Sequence, residues 1–210
     1  MKFSFYNVVT HLILGFLWFI PVMLIWLPDI SLDTGMSLAS VAVAYVLGYF
    51  INAIASWTES YLFISWGGKP SQNLLKGKGM KKIRFSRYQK ARIRLTRERT
   101  QQTDFNNDQH LDSLFGIAMS YIGSSTNNRI QEFNASYAFS RGVLVALFGL
   151  WIMLIVYQAK QNEFNHSIHL IAILLIMGWY RAKERGYYFA KEVLNNYLRV
   201  TEAENKSTTK

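Results

Sequence analysis

Leu12–Leu27 reads LILGFLWFIPVMLIWL, an apolar run with nothing more polar in it than Gly15 and Pro21. With Val8 to His11 ahead of it the run is roughly twenty residues long, the length at which a helix crosses about 30 Å of hydrocarbon. A cleaved secretory signal is the competing reading, but the core is aromatic and Pro28-Asp29 follows where a small-residue cleavage site would stand. A first membrane span is therefore expected here. Leu38–Trp57 repeats the pattern as a second span, Val143–Tyr157 (VLVALFGLWIMLIVY) as a third, and Ile168–Tyr180 (IHLIAILLIMGWY) as a fourth. The fourth block reaches only about 20 Å at 1.5 Å per residue, so its helix must continue through Arg181, with Arg181 and Lys183 snorkelling to the headgroups.

Composition agrees with this reading. Half of the 210 residues are apolar and 17% are charged, which is sparse for a water-soluble globule. The chain has no cysteine, which excludes a disulfide framework, a thiolate metal site and a cysteine nucleophile. The formal net charge of +10 favours nucleic acid, nucleotides or anionic lipid heads as partners.

That charge is concentrated between spans two and three. Gly68–Arg99 reads GKPSQNLLKGKGMKKIRFSRYQKARIRLTRER, in which Lys69, Lys76, Lys78, Lys81, Lys82, Arg84, Arg87, Lys90, Arg92, Arg94, Arg97 and Arg99 have only Glu98 as a local counter-charge. Turn signals stand at Gly67-Gly68-Lys69-Pro70, Gly77, Gly79, Asn106-Asn107 and Gly123-Ser124-Ser125. Ser86–Thr100 has few helix breakers and sets Arg87, Lys90, Arg94 and Arg97 on one helical face, with Tyr88, Ala91 and Leu95 on another. Leu111–Tyr121 and Ile130–Phe139 are expected as further helices, the second leading into the membrane. After span four, residues 182–210 read as a helical extension bent at Gly186, with a frayed polar tail.

The long loop and the tail are rich in Lys and Arg, while the short connections between spans hold only Lys160, so the positive-inside rule puts both termini and the loop in the cytoplasm. The expected fold is an all-α membrane protein: spans one and two in 1–57, a basic, mainly helical cytosolic domain in 58–136, spans three and four in 137–181, and a cytosolic helix and tail in 182–210.

Signals for catalysis are nearly absent. His166-x-x-His169, with Glu163 nearby, is the one histidine pair at ligand spacing, and interfacial capping explains it better than a metal site. Gly67-Gly68-Lys69-Pro70-Ser71 lacks the spacing of a phosphate-binding Walker loop. The chain is expected to be no enzyme and to use no cofactor. Two other features carry chemistry. On span two, Tyr45, Tyr49, Asn52, Ser56 and Glu59 recur on one helical face, and polar atoms in hydrocarbon need a partner or water. Either this face is an interface inside one protomer, or it lines a pore in a symmetric oligomer, with Glu59 favouring cations at the cytosolic mouth. In the basic segment, Lys81, Lys82, Arg84, Arg87, Lys90, Arg92, Arg94 and Arg97 suit phosphates, and Phe85 and Tyr88 suit base stacking. Binding to anionic lipid, or ordinary positive-inside charge, is the plainer reading of the same residues.

Gly67-Gly68-x-Pro70-Ser71 with Leu74-Leu75, Lys90-Ala91-Arg92, Asn134-x-x-Tyr137-x-Phe139-x-Arg141, and Arg185-Gly186-x-Tyr188-x-Ala190-x-Glu192-Val193 together resemble a family of small bacterial four-span membrane proteins of anti-phage defence operons, Hailong-type channel effectors among them. The resemblance implies a channel gated by a short oligonucleotide, with a nucleotidyltransferase as operon partner and the bilayer as its site. It implies Lys90 and Arg92 as phosphate contacts and Asn134, Tyr137 and Arg141 as contacts near the membrane–cytosol junction. Ser140 stands where that family pattern has a second basic residue. The small membrane accessory proteins of CRISPR systems are a rival resemblance, but no Arg precedes His110 at the spacing of their ribonuclease-like pair. The expectation is thus an oligomeric inner-membrane effector, a tetramer being favoured, gated by a nucleotide or single-stranded oligonucleotide. A non-conducting scaffold that recruits a partner protein or nucleic acid to the bilayer is the alternative.

Overall fold

The apolar runs and the polar middle of the chain resolve into one kind of element. In the computed structural model, which describes residues 5–26, 34–80, 82–98, 107–123, 128–161 and 166–207, the regular structure is helical and no strand occurs among the described residues. The helices are α1 (Phe5–Trp26), α2 (Thr34–Trp57), α3 (Glu59–Ser65), α4 (Pro70–Leu75), α5 (Tyr88–Glu98), α6 (Asp108–Gly123), α7 (Asn128–Gln161) and α8 (Ser167–Ser207). Three of them, α1, α2 and α7, are long and apolar enough to cross a membrane. The apolar block Ile168–Tyr180 opens α8, a helix that runs on unbroken for 41 residues. Residues 27–33 of the acidic first connection, Lys81, Arg99, Asn106, Ser124, Ser125, Glu163 and the last three residues of the tail lie outside the described residues.

The chain divides into two compact units, Met1–Ser60 with Ala138–Ala182, and Tyr61–Tyr137 with Lys183–Lys210. In the first unit α1 and α2 approach so closely that a Cβ on Gly15 would overlap the Ala44 carbonyl, and one on Gly48 the His11 carbonyl. Small residues are what permit such backbone approach in helix pairs that lipid surrounds. Leu14, Ile51 and Ala146 form the buried centre, flanked by Leu17, Trp18, Phe139 and Val143. The Trp18 indole N–H donates to the Ala146 carbonyl at 2.9 Å, so the aromatic ring leaves no polar atom facing hydrocarbon.

The second unit is built on two glycine-stopped helices. At the end of α3 the Gly68 N–H bonds to the Phe63 carbonyl at 2.9 Å and the Gly67 N–H to Ile64 at 3.1 Å, with Gly67 at φ 77°. At the end of α4 the Lys78 N–H bonds to Asn73 at 2.7 Å and the Gly77 N–H to Leu74 at 3.1 Å, with Gly77 at φ 75°. Both are Schellman caps, which need a left-handed residue that glycine adopts without a Cβ penalty. Pro70 starts α4 at a position where its missing N–H costs nothing, and the Asn107 side chain caps α6 by accepting from the Gln109 N–H at 2.9 Å.

These short helices bury Leu74, Leu75, Ile83, Phe85, Ala91, Leu95, Leu111, Leu114 and Ala118 against the second half of α8. That half contributes Tyr187, Ala190, Val193, Leu194, Tyr197 and Leu198, spaced by three and four residues as one apolar stripe. Residues 58–136 and 182–210, read from sequence as separate segments, therefore share one core. Gly186 does not interrupt the helix; a Cβ there would lie 3.1 Å from Tyr137, 3.3 Å from Pro70 and 3.4 Å from Trp66, so it marks a tight packing point.

Candidate functional site

The basic face is presented by the loop between α4 and α5 and by α5 itself. Ile83 and Phe85, fully and nearly fully buried, pin the loop to the core, and Met80 pairs with Ile83 as an isolated bridge, so Lys82 and Arg84 turn outward. Lys78, Lys82 and Arg84 are exposed there. On α5, Ala91 and Leu95 are fully buried, and this apolar seam fixes which way the cations of the helix point.

The cations are less bare than their local sequence implies, because acids arrive from other elements. Lys69 pairs with Asp112 at 2.5 Å and Lys76 with Asp108 at 2.6 Å, both on α6. Arg87 and Lys90 meet Glu202 on α8, the lysine at 2.8 Å. Arg94 donates to the Thr201 hydroxyl at 2.9 Å and to the Leu198 carbonyl at 3.4 Å, so it ties α5 to α8. Arg92 lies 5.7 Å above the Tyr88 ring as a cation–π contact. Lys81 and the side chain of Arg97 lie outside the described residues.

The two aromatics that suited base stacking are committed to packing instead. Phe85 is 6% exposed, and the Tyr88 ring has Gly77 against one part and Arg92 over another. Tyr137 is 5% exposed and stacked on Phe189 with ring centroids 6.4 Å apart, while Asn134 is exposed on α7. The buried Tyr187 hydroxyl accepts from the Asn73 amide at 2.9 Å; burial raises its pKa above the ordinary tyrosine value, and that hydrogen bond acts the other way. Lys90 holds the Glu202 carboxyl below the usual range by its hydrogen bond; partial burial opposes this, and the fields of Arg87, Lys90 and Arg94 reinforce it.

The polar stripe of α2 belongs to the first unit and is largely occupied within it. The His11 ring meets Tyr45 edge-on at 5.6 Å and Tyr49 at 6.0 Å, and its Nε2 lies 3.4 Å from the Asn52 amide. Glu59, just past the end of α2, pairs with Arg141 at 2.6 Å, a guanidinium whose side chain is only 11% exposed. Tyr49 and Ser56 are the stripe positions that remain exposed. Among the described residues no group of acidic, histidine or cysteine side chains could hold a metal, and His166 and His169 keep their rings 6.4 Å apart.

Glu202, Thr201, Asp108 and Asp112 were not singled out from sequence. The three-and-four spacing from Tyr187 to Leu198 is the signal that would have found the first two, since it carries α8 back along the basic helix. No protein-family model, curated protein or solved structure matches this chain.

Proposed function

We propose that the protein is an oligomeric inner-membrane effector whose second unit binds a nucleotide or short single-stranded oligonucleotide and whose apolar helices respond by changing ion conduction. In this reading α1, α2, the apolar part of α7 and the apolar start of α8 make four spans, and the basic unit and both termini face the cytoplasm. Anti-phage defence is the setting that the sequence resemblance suggests, with a nucleotidyltransferase as the source of ligand. The observation that supports it most is continuity: α5, which carries the cations, is tied by Arg94 to α8, and α8 is one helix from Ser167 to Ser207. A ligand on α5 lies against α8, the helix that begins in the apolar block. It gates only by binding one state more tightly than the other.

A second reading, a non-conducting scaffold, is favoured by the occupied polar stripe, since Asn52 and Glu59 already have partners inside the protomer. One pair of measurements separates the two. Full-length protein should bind a short single-stranded DNA with strong salt dependence, and Lys82→Gln with Arg84→Gln should weaken binding about tenfold and lower the salt slope by about 1 to 2. In planar bilayers the same protein should conduct, the DNA should change its open probability, and Ser56→Lys should shift preference away from cations. Binding without any conductance leaves the scaffold that recruits nucleic acid, and absence of binding removes the oligonucleotide-gated channel and leaves only a scaffold for a protein partner.

A further inference from the structure

The contact between α5 and the end of α8 has the chemistry of an anion site that already holds an anion. Arg87, just before α5, and Lys90 and Arg94 on it occur at spacings of three and four, and the first two converge on the carboxylate of Glu202. Lys90 Nζ lies 2.8 Å from Oε1, the same oxygen that accepts from Arg87. One turn on, Arg94 holds α8 by the Thr201 hydroxyl and the Leu198 carbonyl instead of by a charge. A guanidinium fork and an ammonium around one acceptor is the donor set that proteins use for phosphate as readily as for carboxylate. Among the described side chains three positive charges face one negative charge here, so these groups leave the site electrostatically unsaturated. It is also reachable: the side chains of Arg87, Lys90 and Glu202 keep 43%, 54% and 33% of their exposure.

The geometry points to Glu202 as a tethered competitor that occupies the phosphate subsite of α5, so that a ligand carrying a terminal phosphate binds by displacing it and loosens the last turns of α8. This deepens the reading of α5 as the nucleotide-binding element and rests on it. A terminal phosphomonoester carries about −1.5 to −2 charges at pH 7 and three acceptor oxygens, against one charge and two oxygens for the glutamate. It therefore outcompetes the carboxylate where an internal phosphodiester, with a single charge, gains little. The Arg94–Thr201 bond remains in place, so displacement frees the end of α8 without detaching the helix. A glutamate is ionised at neutral pH, and the Lys90 hydrogen bond lowers the pKa of this one further, so it competes over the whole physiological range.

The test uses the full-length protein in detergent and a 3′-labelled short thymidylate oligomer, with and without a 5′-phosphate, read by fluorescence anisotropy at low salt. Wild type should prefer the phosphorylated oligomer. Glu202→Gln, which removes the charge and keeps the shape, should bind it about twofold to fivefold more tightly, the range expected for removing an exposed competing ion pair. Arg87→Gln with Lys90→Gln should abolish the preference for the 5′-phosphate. As a measurement independent of variants, the phosphorylated oligomer should speed trypsin cleavage of wild type after Lys206, read by mass spectrometry. Equal affinity of wild type and Glu202→Gln, or protection of Lys206 by the oligomer, overturns the competitor while leaving nucleotide binding intact. Failure of both oligomers to bind either protein overturns the underlying reading as well.

Discussion

Asn73 shows how much of the second unit hangs on single polar side chains. It is 8% exposed, and its amide donates to the Tyr187 hydroxyl at 2.9 Å and to the carbonyls of Gly67 and Gly68 at 3.3 and 3.4 Å, which joins the turn after α3 to α8. Tyr187→Phe removes one of these partners and should destabilise the protein by about 1 kcal/mol, whereas Asn73→Leu strips all three, the buried Tyr187 hydroxyl among them, and should cost about 2 kcal/mol. Denaturant titration in detergent, followed by tryptophan fluorescence, measures both. Glu202 supplies a prediction in pH. Its carboxyl is held below the ordinary value near about 4.3, so its contribution to the α5–α8 contact is fully present above that pH and is lost as pH falls through the lower folded value. Wild type should therefore lose protection of the α8 end against pepsin on acidification to below the ordinary glutamate range, and Glu202→Gln should show a flatter profile. The basic run itself was plain in the sequence. Its neutralisation was not, because Asp108, Asp112 and Glu202 come from elements that reach Lys76, Lys69 and Arg87 only through tertiary packing.

Among the elements, the pair α1 and α2 is fixed by backbone contact more than by side-chain burial. Between helices in lipid there is no hydrophobic force to draw them together, so close van der Waals approach and polar bonds must do it. Gly48 abuts the His11 backbone, and one turn further on Asn52 reaches the His11 ring. Gly48→Leu would force the backbones apart and break the Asn52 contact with them. It should lower the temperature at which the detergent-solubilised protein loses its monodisperse peak on heated size-exclusion chromatography, while Gly116→Leu, at a site with open space, should leave it unchanged. An unchanged transition in Gly48→Leu would show that α1 and α2 do not pack this way. Helix type was legible throughout, since long apolar runs and three-and-four spacing leave little room for strands. Continuity was not. Ile130–Phe139 and the apolar run from Val143 are separated only by Ser140, Arg141 and Gly142 and fuse into the 34 residues of α7, and α8 likewise runs on across Tyr180. Glycines read as stops or bends proved to be of two kinds: Gly67 and Gly77 end helices at positive φ, whereas Gly186 lies inside one at a packing contact.

At the level of the whole molecule, a shared core constrains how often the chain crosses the membrane. Residues from Leu74 to Ile130 pack with Tyr187 to Leu198 in one cluster, so both stretches must lie on the same side of any bilayer. α7 leaves that unit after Tyr137 and is apolar enough to cross. If it crosses, the chain must return before Tyr187, and the only apolar segment available is Ile168–Tyr180. Leu170, Ile173, Ile176 and Met177 are 56–69% exposed there, as side chains facing lipid would be. The block spans about 20 Å against the roughly 30 Å of hydrocarbon, and the unbroken helix lets Arg181 and Lys183 make up the difference by snorkelling. Because the chain has no cysteine, single substitutions report topology without background. In intact cells a membrane-impermeant maleimide should label His166→Cys and leave Lys82→Cys and Ser207→Cys unmodified until the membrane is opened. Labelling of Ser207→Cys together with His166→Cys would mean that α8 does not return. The core joining Tyr197 to Leu74 could then not form in the membrane-bound protein, and the path proposed here from α5 through α8 to the apolar helices would fall with it.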